Sequence, residues 1–147
     1  MNFMCEKHRD KLTEDPKAAT VLWCRLMFLA RHQAKAQAWQ KSIISYGNAL
    51  DAAHVIFEND PASPEVSRYI RTASELAYAI RKCNYPCDIQ LVIAEVKHNL
   101  KKSLYPANVQ LLLIPLTDIA YSPLQEVHQW MKEVFEADID SQSYNHH

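Results

Sequence analysis

Glycine is almost absent from this sequence. It occurs once in 147 residues, whereas average usage of about 7% would give roughly ten. Tight β-hairpin turns, dinucleotide-binding turns and phosphate-cradling loops need glycine where the backbone takes a positive φ or approaches a ligand. Helices joined by proline and asparagine turns do not need it. The sequence therefore favours an all-α fold.

Size and composition point to one ordinary domain. A chain of 147 residues buries roughly 70% of the surface that its unfolded form exposes. The hydrophobic fraction of 48% and the charged fraction of 22% argue against disorder. We expect residues 1–136 to form a single helical domain and residues 137–147 to form a flexible acidic and polar tail. The sequence leaves open whether His146 and His147 are native to the chain.

The charge pattern argues against a nucleic-acid-binding surface. Sixteen basic and seventeen acidic side chains give a net charge of −1, and Lys97, Lys101 and Lys102 have the spacing of a solvated helix face. No apolar run approaches the about 20 residues that span a bilayer, and the N-terminus lacks a secretory pattern. We expect a cytoplasmic protein with no nucleic-acid or membrane partner. Its four cysteines are then expected to be reduced thiols: Cys5, Cys24, Cys83 and Cys87.

Apolar residues recur at spacings of three and four in the first half of the chain, which predicts buried helical stripes. Asp15 followed by Pro16 marks a helix start, because the carboxylate can cap the helix while proline fixes φ. Val21, Cys24 and Phe28 broaden the first stripe, so we expect its helix to be central and Cys24 to be inert. The two stripes are Ala19, Leu22, Trp23, Leu26, Met27 and Ala30, followed by Ala36, Trp39, Ile43, Tyr46, Leu50, Ala53 and Phe57.

These two stripes do not share one helix face. Extended backwards, the second stripe would place Arg25 in the core, so we predict a break within residues 31–35 and an antiparallel helix pair. One unbroken helix of about forty residues is the alternative.

Prolines and polar caps divide the second half into further helices. Ser63 and Pro64 begin one that should stop at Cys83 or Asn84, and another is predicted over residues 89–104. Residues 109–116 fit a helix or a strand, and we favour the helix because a lone strand would have no partner. A capping box over residues 122–125 opens the final helix. The predicted fold consists of antiparallel helical hairpins or a bundle of about five to six helices, with tetratricopeptide-like or orthogonal packing.

Several polar groups have spacings that metal sites or catalysis would use. Glu95 and His98 form a Glu-x-x-His pair, but both should point towards water. Asp51, His54 and Glu58 lie along one side of a helix, where a hydrogen-bonded group is the favoured interpretation. The metal-ligand candidates are Cys5, His8, Cys83 and Cys87, and we favour small buried side chains near helix ends over a zinc site. No catalytic motif is present, so we expect no catalytic residues, no cofactor and no metal.

One helix carries a family resemblance. Trp39 and Tyr46 stand seven residues apart and are followed by Ala49, Leu50 and Ala53, a pattern that resembles the first helix of a tetratricopeptide repeat. The resemblance covers about one helix, and by analogy it implies binding of a partner protein.

Our leading hypothesis from the sequence is an intracellular interaction or adaptor module with no catalytic activity. It would bury a partner segment, or a second copy of itself as a homodimer, against an exposed helix face. The alternative is a metal-binding helical protein or enzyme that uses Cys, His and Glu residues with zinc or iron. The candidate partner-binding residues are aromatic side chains expected at helix ends and loops: Tyr69, Tyr78, Tyr85, Tyr105, Tyr121 and Trp130.

Overall fold

The structure, a computed structural model, describes residues 4–83 and 88–144. These residues contain seven α-helices and no β-strand. The all-α prediction is confirmed, but the expected count of five to six helices is too low, because the short N-terminal segment also forms a helix. The helices are α1 (Glu6–Glu14), α2 (Pro16–Lys35), α3 (Trp39–Asn59), α4 (Ser63–Lys82), α5 (Ile89–Lys101), α6 (Pro106–Tyr121) and α7 (Leu124–Tyr144).

The start of α2 confirms the capping prediction. Pro16 is the first helical residue, and the Asp15 carboxylate accepts a hydrogen bond of 3.2 Å from the amide of Ala18. This bond satisfies one of the amide groups that have no partner in the first turn of a helix.

A tight turn over residues 36–38 separates α2 from α3, so the predicted break is confirmed, although it lies just after the predicted residues 31–35. The Gln37 amide donates to the Ala34 carbonyl (3.0 Å), and the Ala38 amide donates to the Gln33 carbonyl (2.9 Å). These two bonds form a Schellman motif, in which the residue after the helix cap adopts the left-handed conformation. Gln37 fills this position with a φ of 60°, where glycine is the usual residue. The chain thus ends a helix without glycine or proline.

The centre of the domain is the α3–α4 pair. The two helices run in opposite directions, since Trp39 at the start of α3 contacts Tyr78, while Phe57 near its end stacks on Tyr69, each with ring centroids 5.7 Å apart. Residues 72–80 of α4 are all buried. The remaining helices pack on both sides of this pair, with α1 and α2 against α3, and α5, α6 and α7 against α4.

Helix α2 is not central, and the sequence interpretation was wrong on this point. Val21 and Phe28 are 52% and 54% exposed, and Cys24 is exposed as well. Only the inner stripe, which includes Ala19 and Met27, is buried. In the part of the chain that the structure describes, no helix covers these outer apolar residues of α2.

A buried carboxylate joins α2, α3 and α4. Glu75 is almost completely buried and accepts two hydrogen bonds of 2.8 Å from the Arg31 guanidinium. The Tyr46 hydroxyl donates to the same carboxylate at 2.9 Å, and Arg71 Nε lies 3.4 Å from it. Because a buried charge is costly unless it is paired and hydrogen-bonded, this arrangement specifies how the three helices pack.

Helix α6 includes the ambiguous segment 109–116, which is helical as predicted. It packs beside α4, and Arg81 of α4 donates to the carbonyl groups of Ile119 and Ser122 at 2.9 and 2.5 Å. The last helix, α7, packs on α4 through Val127 and Met131. Its backbone is helical up to residue 144, and the flexibility expected of residues 137–147 stays a prediction.

Within the described residues, every helix is too short or too polar to cross a lipid bilayer.

Candidate functional site

An apolar groove lies between α4 and α6, and we call it the α4/α6 groove. Its volume is about 470 Å³, and it continues past Ser67 and Leu111 into a recess of about 320 Å³ near Leu104. Volumes of this size suit a few buried side chains of a ligand. The groove is lined by Ser67, Ile70, Arg71, Ser74, Glu75, Leu111, Leu112, Pro115, Ile119 and Met131.

The groove exists because α6 is more apolar than its packing requires. Its inner stripe, including Leu113 and Leu116, is buried in the core. On its outer side, Leu111 and Ile114 remain 67% and 50% exposed. The only charged side chain among residues 106–121 is Asp118. A solvent-facing helix with so few charges is typical of a surface that another molecule covers.

Pro115 changes the backbone at the middle of the groove. It lies inside α6 and has no amide hydrogen, so the carbonyl of Leu111 does not receive the usual bond from the residue four positions later. The Thr117 hydroxyl donates to the carbonyls of Leu113 and Ile114, not to that of Leu111. The segment stays helical through Pro115, while the Leu111 carbonyl lacks its helical donor.

The α4 wall contributes the charge of the groove. Arg71 is about half exposed and lines the groove. Its partner Glu75 is turned towards Arg31 and is nearly inaccessible to solvent. A ligand in the groove would therefore contact mainly apolar side chains, with the positive charge of Arg71 on the α4 side.

Two of the six aromatic residues proposed as partner-binding are in the core. Tyr69 and Tyr78 are only 1% and 2% exposed. The Tyr69 hydroxyl accepts a hydrogen bond of 2.9 Å from Asn99, and the Tyr78 hydroxyl lies 2.7 Å from His128 Nδ1. Burial raises the pKa of both hydroxyls. Both side chains are therefore inside the fold and not on an exposed helix face, and their proposed partner-binding role stays a prediction.

The other described aromatic candidates are exposed but do not form one cluster. Tyr121 shares the outer face of α6 with Leu111 and Ile114, because positions three, seven and ten apart lie on one helix face. Tyr105 is at the opposite end of α6, about 24 Å away along the axis. Trp130 is exposed on α7, and Tyr85 lies outside the described residues.

Sequence reasoning missed the residues that form the groove. Leu111, Leu112 and Pro115 line the groove and belong to the apolar segment that fitted either helix or strand. The available sequence pattern was the excess of apolar residues in that segment over the number that one buried stripe needs.

Comparison with known proteins finds no match to this chain. No family model, no curated protein and no solved structure matches it.

Of the three polar residues predicted along one side of α3, Asp51 and His54 are buried, whereas Glu58 is exposed. Asp51 is buried and accepts a hydrogen bond of 2.7 Å from the Met4 amide, and Arg9 lies 3.7 Å from its carboxylate. His54 is buried as well, with its Nδ1 against the Arg9 guanidinium and its Nε2 2.9 Å from Glu58. Burial, followed by the positive charges of Arg9 and Lys102, lowers the pKa of His54 to about 4. The neutral imidazole therefore fastens α1 to α3.

This polar cluster extends to α5. His54 stacks on Tyr69 with ring centroids 5.7 Å apart. Glu95 is half-buried, with one carboxylate oxygen shielded from solvent, and its charge contributes to the raised pKa of Tyr69. The expectation that Glu95 points to water was therefore wrong, whereas His98 is exposed. The Glu-x-x-His pair does not face a common site.

Of the three metal-ligand candidates that the structure describes, Cys5 and His8 are in contact, with Sγ 3.0 Å from Nδ1. Cys83 is partly buried beyond the end of α4, and Cys87 lies outside the described residues. Within the described part of the chain, His, Cys, Asp and Glu form no group of three or more that could hold a metal ion.

The described candidates of the proposed zinc site lie towards different ends of α3, with Cys5 and His8 on α1 or at its start and Cys83 after the end of α4. The bond from Met4 to Asp51 places the start of α1 beside the second half of α3. Lys82 Nζ lies 5.8 Å from the centre of the Trp39 ring, which places the end of α4 beside the start of α3. These places are about 18 Å apart along the α3 axis, so α1 and the end of α4 do not supply one metal site.

Proposed function

We propose that this protein is a non-catalytic interaction module whose α4/α6 groove binds an amphipathic helix of a partner protein. The observation that carries this proposal is the combination of an apolar groove with the exposed Leu111 and Ile114 beside it. An amphipathic helix that lays its apolar face into a groove is a recurrent mode of protein recognition.

The dimensions and charge of the groove define its occupant. Along α6 it reaches from Asn108 to Ile119, which is about 16 Å, or three helical turns. Three turns present apolar side chains at positions i, i+4 and i+7 to one groove. Arg71 at the wall adds a preference for an acidic side chain. The occupant is therefore a short amphipathic helix with three apolar anchors and at least one acidic residue.

Selection from a displayed library of helical peptides tests this proposal directly. Peptides selected on the wild-type protein should share the apolar i, i+4, i+7 pattern and an acidic residue. Leu111→Asp should weaken their binding by at least about tenfold, because it places a charge on the apolar floor. Fluorescence anisotropy with a labelled selected peptide measures the change.

Val21→Asp is the matched control for Leu111→Asp. Val21 is also an exposed apolar residue, but it lies on α2, outside the groove. This control should leave peptide binding unchanged, and thermal melts should show that both variants remain folded. A selection without a shared pattern, or equal binding to Leu111→Asp, would contradict the proposal. A wild-type dimer that Leu111→Asp dissociates in sedimentation experiments would show that the occupant is a second copy of this chain instead.

The finer expectations from the sequence belong to this proposal. Tetratricopeptide-like packing, based on Trp39 and Tyr46, would be consistent with a protein-binding role. A cytoplasmic location likewise stays a prediction.

A further inference from the structure

A separate cavity of about 450 Å³ lies where α2, α4 and α7 meet, and it shares no lining residue with the α4/α6 groove. Three lysines line it: Lys35 at the end of α2, Lys82 at the end of α4, and Lys132 on α7. We call it the lysine pocket. Its volume falls in the range of about 300–1,000 Å³ that is typical of small-molecule sites.

The charged side chains that line the lysine pocket are all basic. The described residues that line it include three lysines and His128 but no aspartate or glutamate. The chain as a whole has a net charge of −1, so this cluster does not reflect a general excess of basic residues. Ammonium groups around one cavity repel each other, and a bound anion would remove that repulsion. The pocket is therefore complementary to a ligand with more than one negative charge.

A buried tyrosine orients the histidine of the lysine pocket. The Tyr78 hydroxyl is 2.7 Å from His128 Nδ1. We assign the phenol as the donor, because a phenol is a better acid than imidazole and burial keeps this hydroxyl protonated by raising its pKa. His128 Nε2 then carries the ring hydrogen. The histidine thus adds a second kind of hydrogen-bond donor to the three ammonium groups.

Three aromatic side chains also line the lysine pocket: Trp39, Tyr78 and Phe135. Trp39 and Phe135 line the cavity and are only partly buried. Tyr78 lies between them, with ring centroids 5.7 Å from Trp39 and 6.4 Å from Phe135. Lys82 lies 5.8 Å from the centre of the Trp39 ring, so one of the cations is held next to the aromatic surface. A planar ring can stack on such a wall while an attached anion contacts the lysines.

We propose that the lysine pocket binds a nucleoside mono- or diphosphate, with its phosphates against the three lysines and its base against the aromatic wall. A phosphate monoester carries a charge of about −1.5 to −2 at neutral pH. A single carboxylate would leave two of the three ammonium charges without a counter-charge. This site is independent of the function proposed for the α4/α6 groove.

Isothermal titration calorimetry at low ionic strength tests the site with magnesium-free ADP, pyrophosphate and adenosine. ADP should bind most tightly. Pyrophosphate should bind at least about fivefold more weakly, because it lacks the stacked base. Adenosine should bind more weakly still, since it lacks the charges. The affinity for ADP should fall as salt is added, because exposed charges are screened.

Two variants locate the site. Lys82→Gln and Lys132→Gln should each weaken ADP binding by about tenfold, the loss expected for one charge-assisted hydrogen bond. Lys97→Gln, an exposed substitution on α5, is the matched control and should bind ADP like the wild type. Thermal melts should show that all three variants are folded.

Four results would overturn the proposal. Absence of ADP binding at millimolar concentration would show that the lysine pocket does not bind a nucleotide. Equal affinities for pyrophosphate and ADP would show that the base does not contribute to binding. Unchanged binding to both pocket variants would place the ligand elsewhere, and equal weakening by Lys97→Gln would show unspecific attraction to basic side chains.

Discussion

Acid should destabilise this protein through His54. Its side chain is buried and neutral in the fold, and its pKa is lowered from 6.5 to about 4. Between these values the unfolded chain binds a proton that the folded chain does not bind. The free energy of unfolding therefore falls as the pH falls through this window, and His54 contributes no further change below it.

The magnitude follows from the size of the pKa difference. Each pKa unit corresponds to about 1.36 kcal/mol, so the lowering from 6.5 to about 4 corresponds to a loss of about 3 kcal/mol across the window. For a domain of this size, a loss of about 3 kcal/mol is a large part of a total stability of about 5–15 kcal/mol.

Urea unfolding followed by far-UV circular dichroism, repeated at several pH values between about 7 and 4, measures this loss. His54→Gln removes the titrating group while keeping a polar side chain of similar length. The variant should lose about 3 kcal/mol less than the wild type across the same window. Other groups that titrate in this range act in both proteins, so the difference between the two curves isolates His54.

His98→Gln supplies the matched control, because His98 is exposed on α5. The free energy of unfolding of this variant should depend on pH in the same way as that of the wild type. The reasoning would be refuted if His54→Gln had the same pH dependence as the wild type, since His54 would then bind a proton equally in the folded and unfolded chains.

Three further substitutions test the packing. Glu75→Ala should lower the free energy of unfolding by about 3 kcal/mol, because it removes the buried carboxylate that pairs with the partly buried Arg31, and urea unfolding at neutral pH measures this. Gln37→Gly should raise the free energy of unfolding by up to about 1 kcal/mol, because glycine adopts the left-handed conformation without strain, whereas Gln37→Val should lower it. Arg81→Met should cost about 2 kcal/mol and speed hydrogen exchange at the junction of α6 and α7, because it removes both bonds to the carbonyls there. An unchanged stability in any of these variants would contradict the role given to that side chain.

The sequence alone predicted most of the helices, and it placed the starts of α2, α4 and α5 correctly. Local chemistry sets these features, such as the carboxylate of Asp15 beside Pro16, and they need no information from distant residues. The break before α3 could also be predicted, because one straight helix would have buried Arg25. The left-handed residue in the turn after α2 is Gln37. It could not be predicted from propensity, since glutamine is not the usual choice for a left-handed position.

The candidate sites were far less predictable. Periodicity locates a residue around its own helix, but it does not show which flank of that helix a neighbour covers. Tyr69 and His54 lie beside the apolar stripes of their helices and became buried only because other helices pack over them. Val21 likewise lies beside the apolar stripe of its helix, α2, but it remains exposed.

What the sequence determined by itself is the position of most helices and the inner stripe of each of these, because both depend on residues within one or two turns. Only the tertiary structure decided which outer faces are covered. That choice placed Asp51 beneath α1, left Leu111 exposed beside a groove, and gathered Lys35 and Lys132 around one cavity. Each outcome depends on contacts between residues far apart in the chain, whose relative positions are set by the packing of whole helices.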